Sequence, residues 1–120
     1  GVAPRVGGRL RVECGGAGAG MELSACAAGY LIESLLDWPG QPDLRQGDAI
    51  VAIGEALLLD LEESELEDCF GKAFENNVGV VVGSWERLQG MPQKWVRGAA
   101  ERLLRPWRRA SCEADQSETA

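Results

Sequence analysis

The side chains in this sequence that could do chemistry are four cysteines and a run of acidic residues, and histidine is absent from all 120 residues. Without an imidazole, neither a Ser/His/Asp triad nor a Cys/His pair can form, and no His-liganded metal site is available. The cysteines are far apart and contain no CxxC pair, which argues against a zinc ribbon and a thioredoxin-like motif: Cys14, Cys26, Cys69 and Cys112. We expect no catalytic residue, no metal and no cofactor.

The acidic residues are better explained by structure than by catalysis. Glu62, Glu63, Glu65, Glu67 and Asp68 crowd the start of a predicted helix, where the helix dipole favours negative charge. In the turn sequence Gly47-Asp48, an aspartate usually accepts hydrogen bonds from nearby backbone N–H groups. We therefore predict a solvated helix start and a turn cap.

Composition indicates one globular domain. The chain is long enough for one hydrophobic core, and its apolar stretches are much shorter than the ~20 residues of a membrane-spanning helix. The net charge of −7 is divided between an acidic body, a basic segment at 91–109 and an acidic tip. The acidic body should repel nucleic acid, so we expect no nucleic-acid partner. Sparse cysteines favour a reducing intracellular compartment, the cytoplasm or an organelle.

Hydrophobic periodicity predicts the elements that must position any site. Alternation and short apolar runs predict six strands, at 9–14, 21–25, 29–35, 49–53, 56–61 and 78–82. Apolar residues spaced by three and four from Leu66 to Ala73 predict the main helix over 62–75. This order predicts an α+β, barrel-like plan rather than a βαβ unit.

Residues 44–57 carry the most specific pattern in the chain. The run LRQGDAIVAIGEAL resembles the L-x-x-G-D-x-I-x-x-V-N-G-x-x-L signature of PDZ domains. Gly29-Tyr30-Leu31-Ile32 is similar to the start of the family's third strand, and Gly18–Met21 stands where its carboxylate-binding loop belongs. The resemblance covers roughly residues 8–84. It implies a PDZ-like, partly open β-barrel or sandwich of five to six strands with one long flanking helix, followed by a C-terminal helix.

The resemblance also implies a peptide groove between the second strand and the flanking helix. A peptide would add to the strand by β-augmentation, with its C-terminal carboxylate held by backbone N–H groups of the glycine-rich loop. The residues thereby assigned to peptide binding are Gly18, Ala19, Gly20, Met21, Glu22, Leu23, Ser24, Glu63, Ser64, Glu67 and Phe70. The alternative for the glycine run is a flexible hairpin.

The sequence departs from the family at the helix start. Many PDZ domains have a histidine there that binds a peptide Ser or Thr, whereas this chain has Glu63 or Ser64 in that neighbourhood. The family's Ser/Thr preference is therefore not carried over. Between Val12 and Ala17 there is also no lysine or arginine to assist a carboxylate.

The C-terminal segment predicts a basic amphipathic helix. Pro92 suits its first turn, Pro106 is expected to end it, and Gly98 weakens it by about 1 kcal/mol relative to alanine. Its apolar side chains are assigned to partner binding: Trp95, Val96, Leu103, Leu104 and Trp107. This stripe is expected to dock on the body or on a partner protein, with binding of residues 92–107 to a membrane surface as the alternative.

The sequence therefore predicts a non-enzymatic PDZ-like domain at 8–90, a basic helix at 91–110 and a mobile acidic tail at 111–120. Its expected role is protein–protein interaction or assembly, as an accessory subunit of a larger hetero-complex, including one seated on an organellar membrane. Two alternatives stay open: a regulatory PDZ fragment of a protease, and a membrane-surface adaptor using the C-terminal helix.

Overall fold

The computed structural model describes residues 4–12, 20–36, 40–41, 43–75 and 77–119, with side chains up to Trp107. The elements in this part of the chain are β1 (Arg5–Arg9), β2 (Met21–Cys26), β3 (Gly29–Leu35), β4 (Asp48–Ile53), β5 (Ala56–Leu57), α1 (Glu63–Ala73), β6 (Gly79–Ser84), α2 (Trp85–Leu88) and α3 (Gln93–Thr119).

The strands form one antiparallel sheet in the order β1-β6-β4-β3-β2, with β5 paired to β4. The α+β class is confirmed, and the open sheet is compatible with a small open barrel or sandwich. Every residue of β4 is buried, because this strand lies between neighbours in the sheet and is covered on both faces. The predicted central strand is confirmed.

The sheet separates two apolar clusters. The first core lies on the α1 side and contains Leu66 together with Ile32, Ile50 and Val82. The second core lies on the α3 side, and its buried members are Ala28, Ala49, Val51, Ala52, Leu59, Val81, Leu88, Val96, Ala100 and Leu104. Helices α1 and α3 therefore cover opposite faces of the sheet.

The first described strand lies before most of its predicted position at 9–14, of which residues 13 and 14 are outside the described residues. It runs from Arg5 to Arg9 and pairs with β6, and Leu10 continues the contact by donating its N–H to the Val78 carbonyl at 2.8 Å. Gly7 and Gly8 leave β1 without the side-chain alternation by which a strand is predicted, whereas residues 9–14 carry such an alternation. Gly7 is needed, because a Cβ there would lie 2.8 Å from Val82 Cγ2.

The remaining body elements match their predictions to within a few residues, with two exceptions. The edge strand predicted at 56–61 is only β5, because Leu58 and Leu59 turn into the two cores and Asp60 has a φ of 61°. The short helix α2 was not predicted.

The C-terminal helix does not end at Pro106, so that prediction was wrong. Helix α3 continues through Pro106 to Thr119, and its backbone includes most of the segment predicted as a mobile tail. Proline deprives the Arg102 carbonyl of its helical partner. Both residues are exposed, so water can hydrate that carbonyl. No described helix is long and apolar enough to cross a membrane.

Candidate functional site

The outer side of β2 is an open sheet edge. Strand β2 is the last in the sheet and is hydrogen-bonded to β3. In the ranges the structure describes, no strand pairs with its other side. The backbone N–H and C=O groups of such an edge can pair with an added strand.

Helix α1 approaches this edge through two aromatic rings. Phe70 contacts Tyr30 of β3 edge to face, with ring centroids 4.8 Å apart. The cross-strand partner of Tyr30 in β2 is Ala25, and cross-strand partners share a face of the sheet. Ala25 is exposed, so α1 covers β3 here and leaves the neighbouring part of β2 open.

Apolar side chains continue this surface along β2. Leu23 is paired with Ile32, and Met21 with Leu35. Leu23, Met21 and Leu35 are partly buried against the first core. The register skips Glu33, and this irregularity returns Leu35 to the core face. A ligand strand on this edge would therefore contact apolar side chains as well as backbone.

Two carboxylates border the same surface. Glu63 and Glu67 are exposed and share a helix face with Phe70, because they precede it by seven and three residues. Burial raises the pKa of Tyr30, and the negative charges of Glu67 and Glu63 raise it further. We call Ala25, Tyr30, Glu63, Glu67 and Phe70 the β2–α1 surface.

The structure brings together only some of the predicted peptide-binding residues. Gly18 and Ala19 lie outside the described residues. Gly20 has a φ of 66°, and its carbonyl accepts a hydrogen bond of 2.7 Å from the Leu36 N–H. Met21, Glu22 and Leu23 lie in β2, and Glu63, Ser64, Glu67 and Phe70 lie in α1.

Glu22 and Ser24 are separated from the rest of the predicted groove. Neighbouring strand residues face opposite sides of a sheet, so Glu22 and Ser24 share the face of Cys26, which packs against the second core. Sequence reasoning missed Ala25 and Tyr30. Their pairing could have been derived from the two-residue turn between Cys26 and Gly29, because turn length sets hairpin register.

The apolar stripe of α3 docks on the chain's own sheet. Val96 and Leu104 are 3% and 0% exposed, and Leu103 and Trp107 are partly buried against the second core. Of these four residues, which were assigned to partner binding, Val96 and Leu104 are therefore covered within the chain, and Leu103 and Trp107 are covered in part. Trp95, the fifth, is 44% exposed.

A polar contact fixes the start of α3. Asp60 accepts hydrogen bonds from Gln93 Nε2 at 2.7 Å and from Arg97 Nη2 at 2.8 Å. The Arg97 contact is also an ion pair. Both donors come from the first turns of α3, so the helix is tied to the turn that follows β5.

Two buried polar side chains have structural roles. Asp48 is 7% exposed and accepts hydrogen bonds from the Arg45 N–H and from Arg5 Nη2, both at 3.2 Å. The predicted turn role of Asp48 is confirmed. Gln41 bonds the backbone of Arg11 twice: its Oε1 accepts from the N–H at 3.0 Å and its Nε2 donates to the carbonyl at 2.7 Å.

Comparisons with known proteins do not assign this chain to a family. No family model, curated protein or solved structure matches this chain. Among the described side chains, no group of three or more potential metal ligands comes together. The geometry of the β2–α1 surface is therefore the basis for a functional proposal.

Proposed function

We propose that the chain is a non-enzymatic protein-interaction module that adds an extended peptide from a partner to the open edge of β2. The observation that carries the proposal is the position of β2 as the last strand of the sheet, next to the exposed Ala25 and the Tyr30–Phe70 pair. Backbone hydrogen bonds to β2 would supply affinity, and side-chain contacts on the β2–α1 surface would supply specificity.

The proposal extends to a PDZ-like mode of binding. The signature-like run at 44–57 supports this mode of binding. The position of α1 in the chain, after five strands and before β6, also supports it. Gly20, in the left-handed region, directly precedes β2, where a bound C-terminal carboxylate would lie in that mode. The biological role we propose is an accessory subunit that recruits a partner through its peptide.

The packing of α3 favours this mode over adsorption to a membrane. An amphipathic helix binds a bilayer by burying its apolar face in the lipid interface. Val96, Ala100 and Leu104, on the apolar face of α3, are already buried in the second core. The outer edge of β2, in contrast, is paired with no strand in the part of the chain that the structure describes.

Selection from a library of random heptapeptides with free C termini tests the proposal. The intact chain should enrich discrete sequences, and Ala25→Phe should weaken the selected peptides about tenfold by filling the surface beside Tyr30. Ala27→Phe is the matched control, since Ala27 is also exposed but lies in the β2–β3 turn, and it should leave binding unchanged. A failure to enrich any sequence, or equal binding by Ala25→Phe, would refute the proposal.

Amidation of the selected peptides separates the two ways of using the edge. If a terminal carboxylate is bound near Gly20, C-terminally amidated peptides should bind much more weakly. Equal affinity of the amidated peptides would refute the carboxylate role and leave internal β-augmentation as the mode of binding.

A further inference from the structure

The charged side chains of the β2–α1 surface are acidic. Glu63 and Glu67, both on α1, are exposed. The lysine of α1, Lys72, is paired with Asp68 at 3.0 Å. Neither Glu63 nor Glu67 forms an ion pair with any residue that the structure describes. The charge of this surface is therefore not neutralised within the described fold.

The position of the two carboxylates relative to the open strand is fixed by α1. Glu63, Glu67 and Phe70 recur at helical spacing on one face, and Phe70 contacts Tyr30. Tyr30 is the cross-strand partner of Ala25. A ligand side chain extending from a strand added beside Ala25 toward α1 would pass the two aromatic rings and approach the carboxylates.

We infer that the β2–α1 surface selects extended peptides carrying a lysine or arginine whose charged group binds between Glu63 and Glu67. The inference rests on the proposed function. The aliphatic stem of either residue suits the faces of Tyr30 and Phe70, and its cation suits both the aromatic rings and the carboxylates. A ligand aspartate or glutamate at the same place would be repelled, which adds discrimination to affinity.

The two carboxylates set the size of the expected effect. Both are exposed, and solvent-exposed ion pairs contribute little individually. Loss of both should weaken a lysine-containing peptide roughly three- to tenfold. The same loss should leave a peptide with alanine in place of that lysine nearly unaffected, and salt should weaken only the lysine peptide.

The test repeats the heptapeptide selection with charge variants. The unmodified chain should enrich lysine and arginine at one peptide position, and Glu63→Gln with Glu67→Gln should abolish that enrichment. Glu65→Gln with Glu86→Gln is the matched control, since it removes the same charge from exposed sites on other surfaces. Glu67→Lys provides a gain-of-function arm and should enrich acidic residues at the same position.

The outcomes distinguish the preference for a basic residue from peptide binding at the β2 edge itself. Failure to enrich any peptide would refute both. Enrichment of peptides with no basic preference, or a basic preference unchanged in the Glu63/Glu67 double variant, would overturn the inference while leaving peptide binding intact. Circular dichroism of each variant confirms that α1 is retained before its selection is compared.

Discussion

The indole of Trp107 lies against the backbone of Gly79, so closely that a Cβ on Gly79 would stand 2.8 Å from both Cζ2 and Cη2 of the ring. This contact joins α3 to the first residue of β6. With Val96, Ala100 and Leu104 buried in the second core, it makes α3 part of the domain rather than an appendage.

We expect Gly79→Ala to destabilise the protein by about 1–3 kcal/mol, as overpacking of a close contact typically does. Gly79 does not have positive φ, so the cost comes from the displaced ring rather than from the backbone. Urea denaturation measures the change. In a Trp107→Ala background the same substitution should cost much less, and an unchanged cost would contradict the assigned contact.

Gly98→Ala, in contrast to Gly79→Ala, should increase the free energy of unfolding. Gly98 is inside α3, and an added Cβ meets nothing within 4 Å. Alanine is favoured over glycine in a helix interior by about 1 kcal/mol, so the variant should be more stable by roughly that amount. A loss of stability in thermal or urea unfolding would show that this side of α3 is not open.

Gln41→Ala should remove both hydrogen bonds to the Arg11 backbone. The abandoned N–H and carbonyl are part-buried, so we expect a loss of about 1–3 kcal/mol. Gln46→Ala is the control, because Gln46 is exposed and surface changes usually stay within about 0.5 kcal/mol. Equal unfolding free energies for the two variants would contradict a stabilising role for the two Gln41–Arg11 hydrogen bonds.

The ionisation of Tyr30 gives a test in solution. Tyr30 is the single tyrosine of the chain, and its pKa is raised by burial, then by Glu67 and Glu63. Absorbance titration should show a midpoint above that of the urea-unfolded chain. Glu63→Gln with Glu67→Gln should lower the midpoint only in part, since burial is the larger cause.

The raised pKa of Tyr30 also fixes a direction for stability. At alkaline pH the folded state keeps the phenolic proton that the unfolded state releases. The contribution of Tyr30 to the free energy of unfolding is therefore complete below the unfolded pKa of about 10. It is lost as the pH rises through the folded pKa. In Tyr30→Phe this part of the alkaline decline in unfolding free energy should disappear, and an identical decline would contradict the assignment.

Local pattern was sufficient where one periodicity dominated. Strand β3 begins at Gly29 and ends at Leu35 as predicted, and β4, which is apolar from Ala49 to Ile53, begins one residue earlier than predicted. Strand β1 was misplaced because Gly7 and Gly8 have no side chains to alternate. Helix α3 passes Pro106 because packing against the sheet outweighs a local helix breaker.

The site was predictable only in part. The sequence indicated that β2 and α1 belong together, but the Ala25–Tyr30 pairing depends on hairpin register, and the Tyr30–Phe70 contact depends on how a helix crosses a sheet. The covered state of Val96 and Leu104 was weighed as one alternative and required the tertiary structure to establish. Gly18 and Ala19 stay predictions.

The pairing of β1 with β6 sets an order for synthesis of the chain on a ribosome. Arg5 pairs with Val82, so β1, the first of the described strands to be synthesised, waits for β6, the last of them, before it can join the sheet. The β2–β3 hairpin, by contrast, can close at once, because its strands are joined by two residues. We therefore expect the nascent chain to expose one edge of β4 until β6 has left the exit tunnel, which is the stage at which pairing with another chain is most damaging.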